Sequence, residues 1–273
     1  MSILRSRYFH YLLMFLITLS FLIAQNLAFA QQLPLFDGDF EQGLGSLLRL
    51  ESCCSYSFTR VPMIARHGRY GARFELRRSD PIVETSKRAE VRTAFPFVQE
   101  MWFNINYLFP ETYTPDRSAE IVAQWHDIHD QGEPGQKPSL SLWVLNNRLN
   151  LTNRWQFKKI GDDKFDGELN YDLGSIKLNS WTNIVVHVRW ALDSNGLIEL
   201  WQDGVQKIKK IGPNRYNDDR YPYFKFGIYK YDWKIKPEAS TLNTRELYID
   251  DVRIGSNNSS YAQISTLTNP LPK

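Results

Sequence analysis

Apolar and polar residues alternate with a period of two along much of the chain, the pattern of half-buried strands rather than of amphipathic helices. Ile184, Val186, Val188 and Trp190 fall on one face of a segment whose other face carries Asn183, His187 and Arg189. Leu140, Leu142 and Val144 repeat the pattern after a Gly- and Pro-containing loop at 132–138. Ile198 and Leu200 open a further strand that turns at Asp203-Gly204, a favoured hairpin pair. A last strand is predicted over Glu246–Ile254, ahead of a Ser/Asn-rich tail. No internal repeat and no low-complexity block interrupts the series. The pattern predicts an all-β domain, a sandwich of the β-jelly-roll type.

The apolar run at the start is of another kind. Arg5 and Arg7 precede Tyr11–Ile23, which is broken only by Thr18 and Ser20, and Ala28-Phe29-Ala30 offers a small-x-small cleavage site. The run is short for a bilayer span of about 20 residues. Residues 1–30 therefore read as an export signal, leaving 31–273 as one secreted or periplasmic domain with no stable membrane insertion after cleavage. Of 33 Lys and Arg, Arg5 and Arg7 leave with the signal, so 31 remain against 30 acidic residues. That balance argues against a nucleic-acid partner, which calls for a basic excess. The 8 Trp, 14 Tyr and 16 Phe suit stacking on sugar rings and filling a sandwich core equally well. Cys53 and Cys54 are the two cysteines, and adjacent residues build no disulfide framework. A bridge to a partner chain, a vicinal disulfide and two plain thiols all stay open; otherwise a monomer is expected.

Three strand-like segments carry chemistry. In Lys87-Arg88-Ala89-Glu90-Val91-Arg92, the side chains of Arg88, Glu90 and Arg92 share one face. In Gln124-Trp125-His126, Gln124 and His126 share a face with Trp125 behind. In Tyr223-Phe224-Lys225-Phe226-Gly227-Ile228-Tyr229, the polar front is Tyr223, Lys225 and Tyr229, and the back is Phe224, Phe226 and Ile228. If the apolar backs form the core, the polar fronts line one sheet face. Such a set suits elimination across a uronate. The C5 proton is weakly acidic beside a carboxylate, so neutralising that carboxylate stabilises the enolate-like transition state. Arg88 can grip it with two parallel hydrogen bonds and Gln124 can donate from its amide. His126 and Tyr229 have groups able to remove the C5 proton and to protonate the departing O4.

The same segments resemble the signatures of the jelly-roll polysaccharide lyases, which include alginate lyases, glucuronan lyases and heparin lyase I-type enzymes. Arg-Ala-Glu-Val-Arg at 88–92 is similar to the family's Arg-x-Glu-Leu-Arg strand, and Gln124-Trp125-His126 to its Gln-Ile-His strand. Residues 223–229 are similar to its Tyr-Phe-Lys-Ala-Gly-x-Tyr strand, and the order along the chain agrees. The resemblance implies a concanavalin-like jelly roll with a concave substrate groove. It implies that Gln124 and Arg88 neutralise the substrate carboxylate and that His126 and Tyr229 are the base and acid pair. Arg92, Lys225, Tyr223 and Glu90 would complete the substrate-binding set, Glu90 by orienting the arginines. The substrate implied is an acidic polysaccharide, glucuronan-like because the Trp181–Trp190 and Tyr248–Ile254 strands look more like that branch. Lys230-Tyr231 after Tyr229, where alginate lyases carry Asn or Gln, departs from the alginate pattern.

Blander readings stand beside these. The 88–92 triplet could be a solvated ion-pair ladder, and Tyr221 and Tyr223 could cap a sheet. A non-catalytic carbohydrate-binding sandwich is the alternative function, although such a module has no reason to set His126 and Tyr229 beside Arg88 and Gln124. A sandwich glycoside hydrolase would need paired carboxylates about 5–10 Å apart, and no strand is expected to present two or three acids at alternating positions on one face. Elimination requires no cofactor. Asp37, Glu41 and Asp250, from the two ends of the domain, offer oxygen ligands for a structural Ca2+, or are ordinary turn and edge acids. His126 and His129 do not make a zinc pair, since His129 should leave the face of His126. Lys207, Lys209, Lys210 and Arg215 could attract a polyanion or form a solvated loop.

Overall fold

The computed structural model describes residues 36–94, 97–160 and 164–266; the export signal and its cleavage site lie outside them. In chain order the strands are β1 (Phe36–Gly38), β2 (Leu48–Glu51), β3 (Phe58–Pro62), β4 (Tyr70–Arg77) and β5 (Arg88–Thr93). There follow β6 (Glu100–Leu108), β7 (Glu120–His126), β8 (Leu140–Leu145), β9 (Arg148–Trp155) and β10 (Gly167–Ser175). The series ends with β11 (Trp181–Arg189), β12 (Leu197–Gln202), β13 (Val205–Ile211), β14 (Tyr223–Tyr229) and β15 (Thr244–Ser256). Helix among the described residues is limited to the single turns α1 (Asp232–Ile235) and α2 (Tyr261–Ile264) and a 3-10 turn at Pro237–Ala239.

These strands form two antiparallel sheets. One runs β13-β12-β11-β6-β15-β4-β3 with β1 added beside β15; the other runs β10-β9-β8-β7-β14-β5-β2. The interleaved chain order is that of a β-jelly roll. The predicted alternation is what buries the inner faces: Ile184, Val186 and Val188 of β11 and Leu140, Leu142 and Val144 of β8 are all in the core. Aromatic side chains join the sheets. Phe103 of β6 meets Trp125 of β7 edge-on at 5.3 Å and Phe224 of β14 at 4.9 Å. Each such side chain contributes roughly 1.5–3 kcal/mol through its burial. The Asp203-Gly204 hairpin forms with both residues at positive φ, 50° and 83°, as the tight two-residue turn requires.

The last strand is longer than its pattern indicated and bends midway. Its register against β6 shifts between Asp250 and Arg253, where Asp251 adopts φ 47°. The two ends of the domain do meet, with Asp37 of β1 opposite Arg253. The three acids considered for calcium each engage protein donors: Asp37 pairs with Arg253 at 3.3 Å. Glu41 accepts from the main-chain N–H groups of Arg69 and Tyr70 at 2.7 and 2.8 Å. Asp250 accepts from those of Arg66 at 2.7 Å and Asp251 at 2.8 Å. No helix among the described residues is long and apolar enough to cross a membrane.

Candidate active site

The three chemistry-bearing segments are adjacent strands of the seven-stranded sheet, β7, β14 and β5. Between β14 and β5, Tyr229 lies opposite Arg88, Gly227 opposite Glu90 and Lys225 opposite Arg92. Between β14 and β7, Lys225 lies opposite Gln124 and Tyr223 opposite His126. A register shift after Phe226 brings Tyr229 opposite Ile121. It is made possible by Gly227 at φ +130°, where an added Cβ would sit 2.3 Å from the Ala89 carbonyl oxygen and 2.9 Å from Glu90 Cα. That backbone conformation is open to glycine and strained for other residues.

The sheet also delivers a residue that the sequence did not single out. β2 pairs with β5 so that Glu51 stands opposite Glu90. Glu51 Oε2 accepts from Lys225 Nζ at 2.5 Å and from Arg88 Nη1 at 3.2 Å, and its Oε1 lies 3.4 Å from Arg92 Nε. Glu90 accepts from Gln124 Nε2 at 2.5 Å and lies 3.5 Å from Arg88 Nη1. Arg88 Nη1 also lies 3.7 Å from the more exposed Glu84, so the three cations Arg88, Arg92 and Lys225 are matched by the three carboxylates Glu51, Glu84 and Glu90. The only local hint was the spacing of Arg49 and Glu51 in a short edge segment. The facing carboxylates that a hydrolase would need are therefore present after all, but salt-bridged into this network.

Burial divides the set. Arg88, Glu90, Gln124 and Lys225 are buried, whereas Arg92, His126, Tyr223 and Tyr229 are partly exposed. Lys225 is therefore a floor residue beneath Tyr223, its Nζ 5.4 Å from that ring, rather than a surface arm. Burial works against the Lys225 ammonium, but Glu90, Tyr223 and Glu51 more than offset it, so its pKa is raised. Burial likewise pushes the Glu90 carboxyl up against the pull of Lys225 and Arg88.

His126 Nδ1 is 2.9 Å from the Asp127 carbonyl oxygen, an acceptor only, so Nδ1 carries the proton and Nε2 keeps a lone pair. Burial, with Lys225, His129 and Arg88 nearby, lowers its pKa to about 4. At neutral pH the ring is an uncharged base. Tyr229 lies under Arg88, whose Cζ is 4.9 Å from the ring centre. Burial raises its pKa, with Arg88 opposing, so the phenol keeps its proton. Tyr229 also lines a cleft of about 350 Å³ with Ile121, Ser141, Trp143, Arg154 and Tyr231. His126 stands outside that cleft, beyond Gln124 on β7, and its ring neighbours are Tyr223 at 5.6 Å and His129 at 5.7 Å. His129 therefore stays beside His126 instead of turning away, because the chain leaves the extended conformation after β7.

Other candidates resolve locally. Cys53 and Cys54, just after Glu51, are bonded to each other. Lys230 points into the interior, where it meets Asp116 at 2.8 Å and Glu120 at 3.3 Å. The basic stretch divides: Lys209 pairs with Glu199 at 3.2 Å, Lys210 donates to the Gly212 carbonyl at 3.1 Å, and Arg215 donates to that of Tyr216 at 2.7 Å.

A family model described as polysaccharide lyase matches residues 36–253. No curated protein matches the chain. Among solved structures, an endo-β-1,4-glucuronan lyase from the fungus Trichoderma reesei superposes with a TM-score of 0.70 at 17% identity, covering 85% of this chain and 98% of that one. The alginate lyase A1-II′ gives 0.56 at 15% identity, covering 78% and 95%. A botulinum neurotoxin type C structure gives 0.55 at 12% identity, covering 90% of this chain and 53% of that one. At these identities the likenesses establish the jelly-roll fold. The family match runs from β1 into β15 and takes in all three chemistry-bearing strands: the chain belongs to the polysaccharide lyases.

Proposed function

We propose that this lyase cleaves a uronate-containing acidic polysaccharide, glucuronan-like in preference to alginate, by β-elimination, and that it does so outside the cytoplasm after its signal is removed. One observation carries the reading: a neutral histidine and a protonated tyrosine share a sheet face whose floor is built from Arg88, Gln124 and Lys225. The floor has donors to spare. Arg88 uses Nη1 and Nη2 on Glu51 and Thr85, and its Nε has no hydrogen-bond partner. Gln124 gives Glu90 one of its two amide N–H groups. Both are buried, so they hold the uronate carboxylate only by turning these donors towards the face while negative charge builds on it.

In the elimination, the C5–H electron pair becomes the C4–C5 double bond and the C4–O4 bond breaks. The C5 proton is assigned to His126 Nε2 and the protonation of O4 to the Tyr229 hydroxyl, leaving a 4,5-unsaturated uronate end. His126 lies opposite Tyr223 and Tyr229 opposite Ile121, so the two side chains have to lean towards each other along the face to share one sugar. Where C5–H and O4 lie on the same side of the sugar, Tyr229 fills both roles once its phenol has given up its proton, a loss that the Arg88 guanidinium favours: the phenolate takes the C5 proton and returns it to O4. The leaning towards glucuronan rests on the fuller superposition with the glucuronan lyase and on Tyr231, which lines the cleft beside Tyr229, whereas Lys230 is buried away from it. The test is incubation with glucuronan, alginate and heparan while following absorbance of the new double bond. A rise on glucuronan above the others is expected. A rise on alginate alone overturns the substrate, and no rise on any uronate polymer overturns the reaction.

A further inference from the structure

The geometry points to a divalent-cation site of the zinc class, formed by His129, Glu133 and Asp218 where the loop after β7 meets the loop before β14. One ligand atom from each of the three lies within 4.8 Å of the others. Asp218 is 3% exposed, and neither of its carboxylate oxygens has a hydrogen-bond partner. His129 Nδ1 is also buried without one. A buried carboxylate with nothing to accept from costs several kcal/mol unless it is paired, protonated or metal-bound.

The nearby cations do not supply the pairing. Arg215 donates to the main-chain carbonyls of Tyr216 and Asp218. Lys159 pairs with Asp130 and Asp219. The carboxylates of Asp127, Glu133 and Asp130 bring more negative charge to the same spot. A divalent cation would relieve both the missing partners and the mutual repulsion. Zinc bonds to nitrogen and oxygen are about 2 Å long, so bound ligand atoms sit no more than about 4 Å apart. A small inward rotation of the three side chains meets this.

One imidazole with two carboxylates is a donor set for Zn2+ or Mn2+, whereas Ca2+ prefers oxygen throughout. The site would tie together the loops that end β7 and begin β14, next to His126 and Tyr223. It is independent of the proposed reaction and can be tested without an activity assay. Tag-free protein is stripped with EDTA, dialysed and titrated with ZnCl2 by calorimetry, with thermal unfolding in parallel. One equivalent bound at micromolar affinity or better, with a rise in Tm, is expected. Asp218→Asn and Glu133→Gln should each weaken binding at least tenfold, while metal-free Asp218→Asn melts no lower than metal-free wild type. Absence of saturable zinc binding, wild-type affinity in both variants, or Ca2+ binding more tightly than Zn2+ would each overturn the site.

Discussion

His126 and Tyr229 owe their protonation states to different neighbours. The Asp127 carbonyl fixes the tautomer of His126, and burial with surrounding cations holds its pKa near 4. If it is the base, the acid limb of kcat/KM should fall near pH 4 rather than at about 6.5, the ordinary histidine value. A limb near 6.5 in the pH–rate profile would remove His126 from that role. Tyr229→Phe keeps the ring under Arg88 and removes only the hydroxyl. It should abolish turnover, by about 10²–10⁴-fold or more, while polymer binding measured by affinity electrophoresis stays intact; retained activity would sink the assignment. Glu51 is the residue on which the floor depends. With Glu51, Arg88 and Lys225 side chains at 7%, 6% and 2% exposure, Glu51→Ala leaves the buried Lys225 without its carboxylate acceptor and Arg88 with only Glu90 and Glu84. The expected loss in a denaturant titration is about 3–5 kcal/mol.

At the scale of the elements, β14 does the positioning. Its register against β5 is continuous from Lys225 to Tyr229, while against β7 it slips after Phe226. The slip sets Tyr229 beside Ile121 and the cleft and leaves Lys225 beside Gln124. Gly227 is the hinge of this arrangement. Gly227→Ala must shift β5 or abandon its φ, at a cost of about 2–4 kcal/mol. Activity should fall with stability, because Lys225 and Tyr229 lie on either side of the kink. A variant with wild-type Tm and turnover would show that the kink is not needed. Period-two patterning announced β14 and its two faces, since Phe224, Phe226 and Ile228 alternate with polar residues. A single glycine in a strand could not reveal against which neighbour the register would slip.

Over the whole molecule, titrating groups of opposite sign decide the response to pH. Burial raises Asp127 to about 7 and Asp250 to about 8, and Asp218 moves in the same direction. A carboxyl whose folded pKa lies above its unfolded value stabilises the fold at low pH, and that contribution is lost as pH rises through the folded value. His126 works the other way, its lowered pKa costing stability as pH falls from about 6.5 towards 4. Three carboxyls outweigh one imidazole above about pH 6, so the Tm of EDTA-treated protein should drop between about pH 6 and pH 8.5. A flat or rising Tm across that window in calorimetric scans would show that these carboxyls are ionised in the folded state.

The sequence by itself determined seven of the strands, β5, β7, β8, β11, β12, β14 and β15, and the chemistry of three of them. Each of those follows from side-chain alternation within a few consecutive residues, as in 88–92, 124–126 and 223–229. It also carried the family resemblance, because the matching motifs are equally local. Only the tertiary structure decided that β5, β14 and β7 are neighbours, and that Lys225 is buried against Glu51, 174 positions earlier in the chain. It likewise decided that Cys53 and Cys54 close on each other, that Asp37 answers Arg253, and that His129 meets Asp218. Strand order in a sandwich is set by how two apolar faces fill one core, and no local pattern records which edge a strand will join.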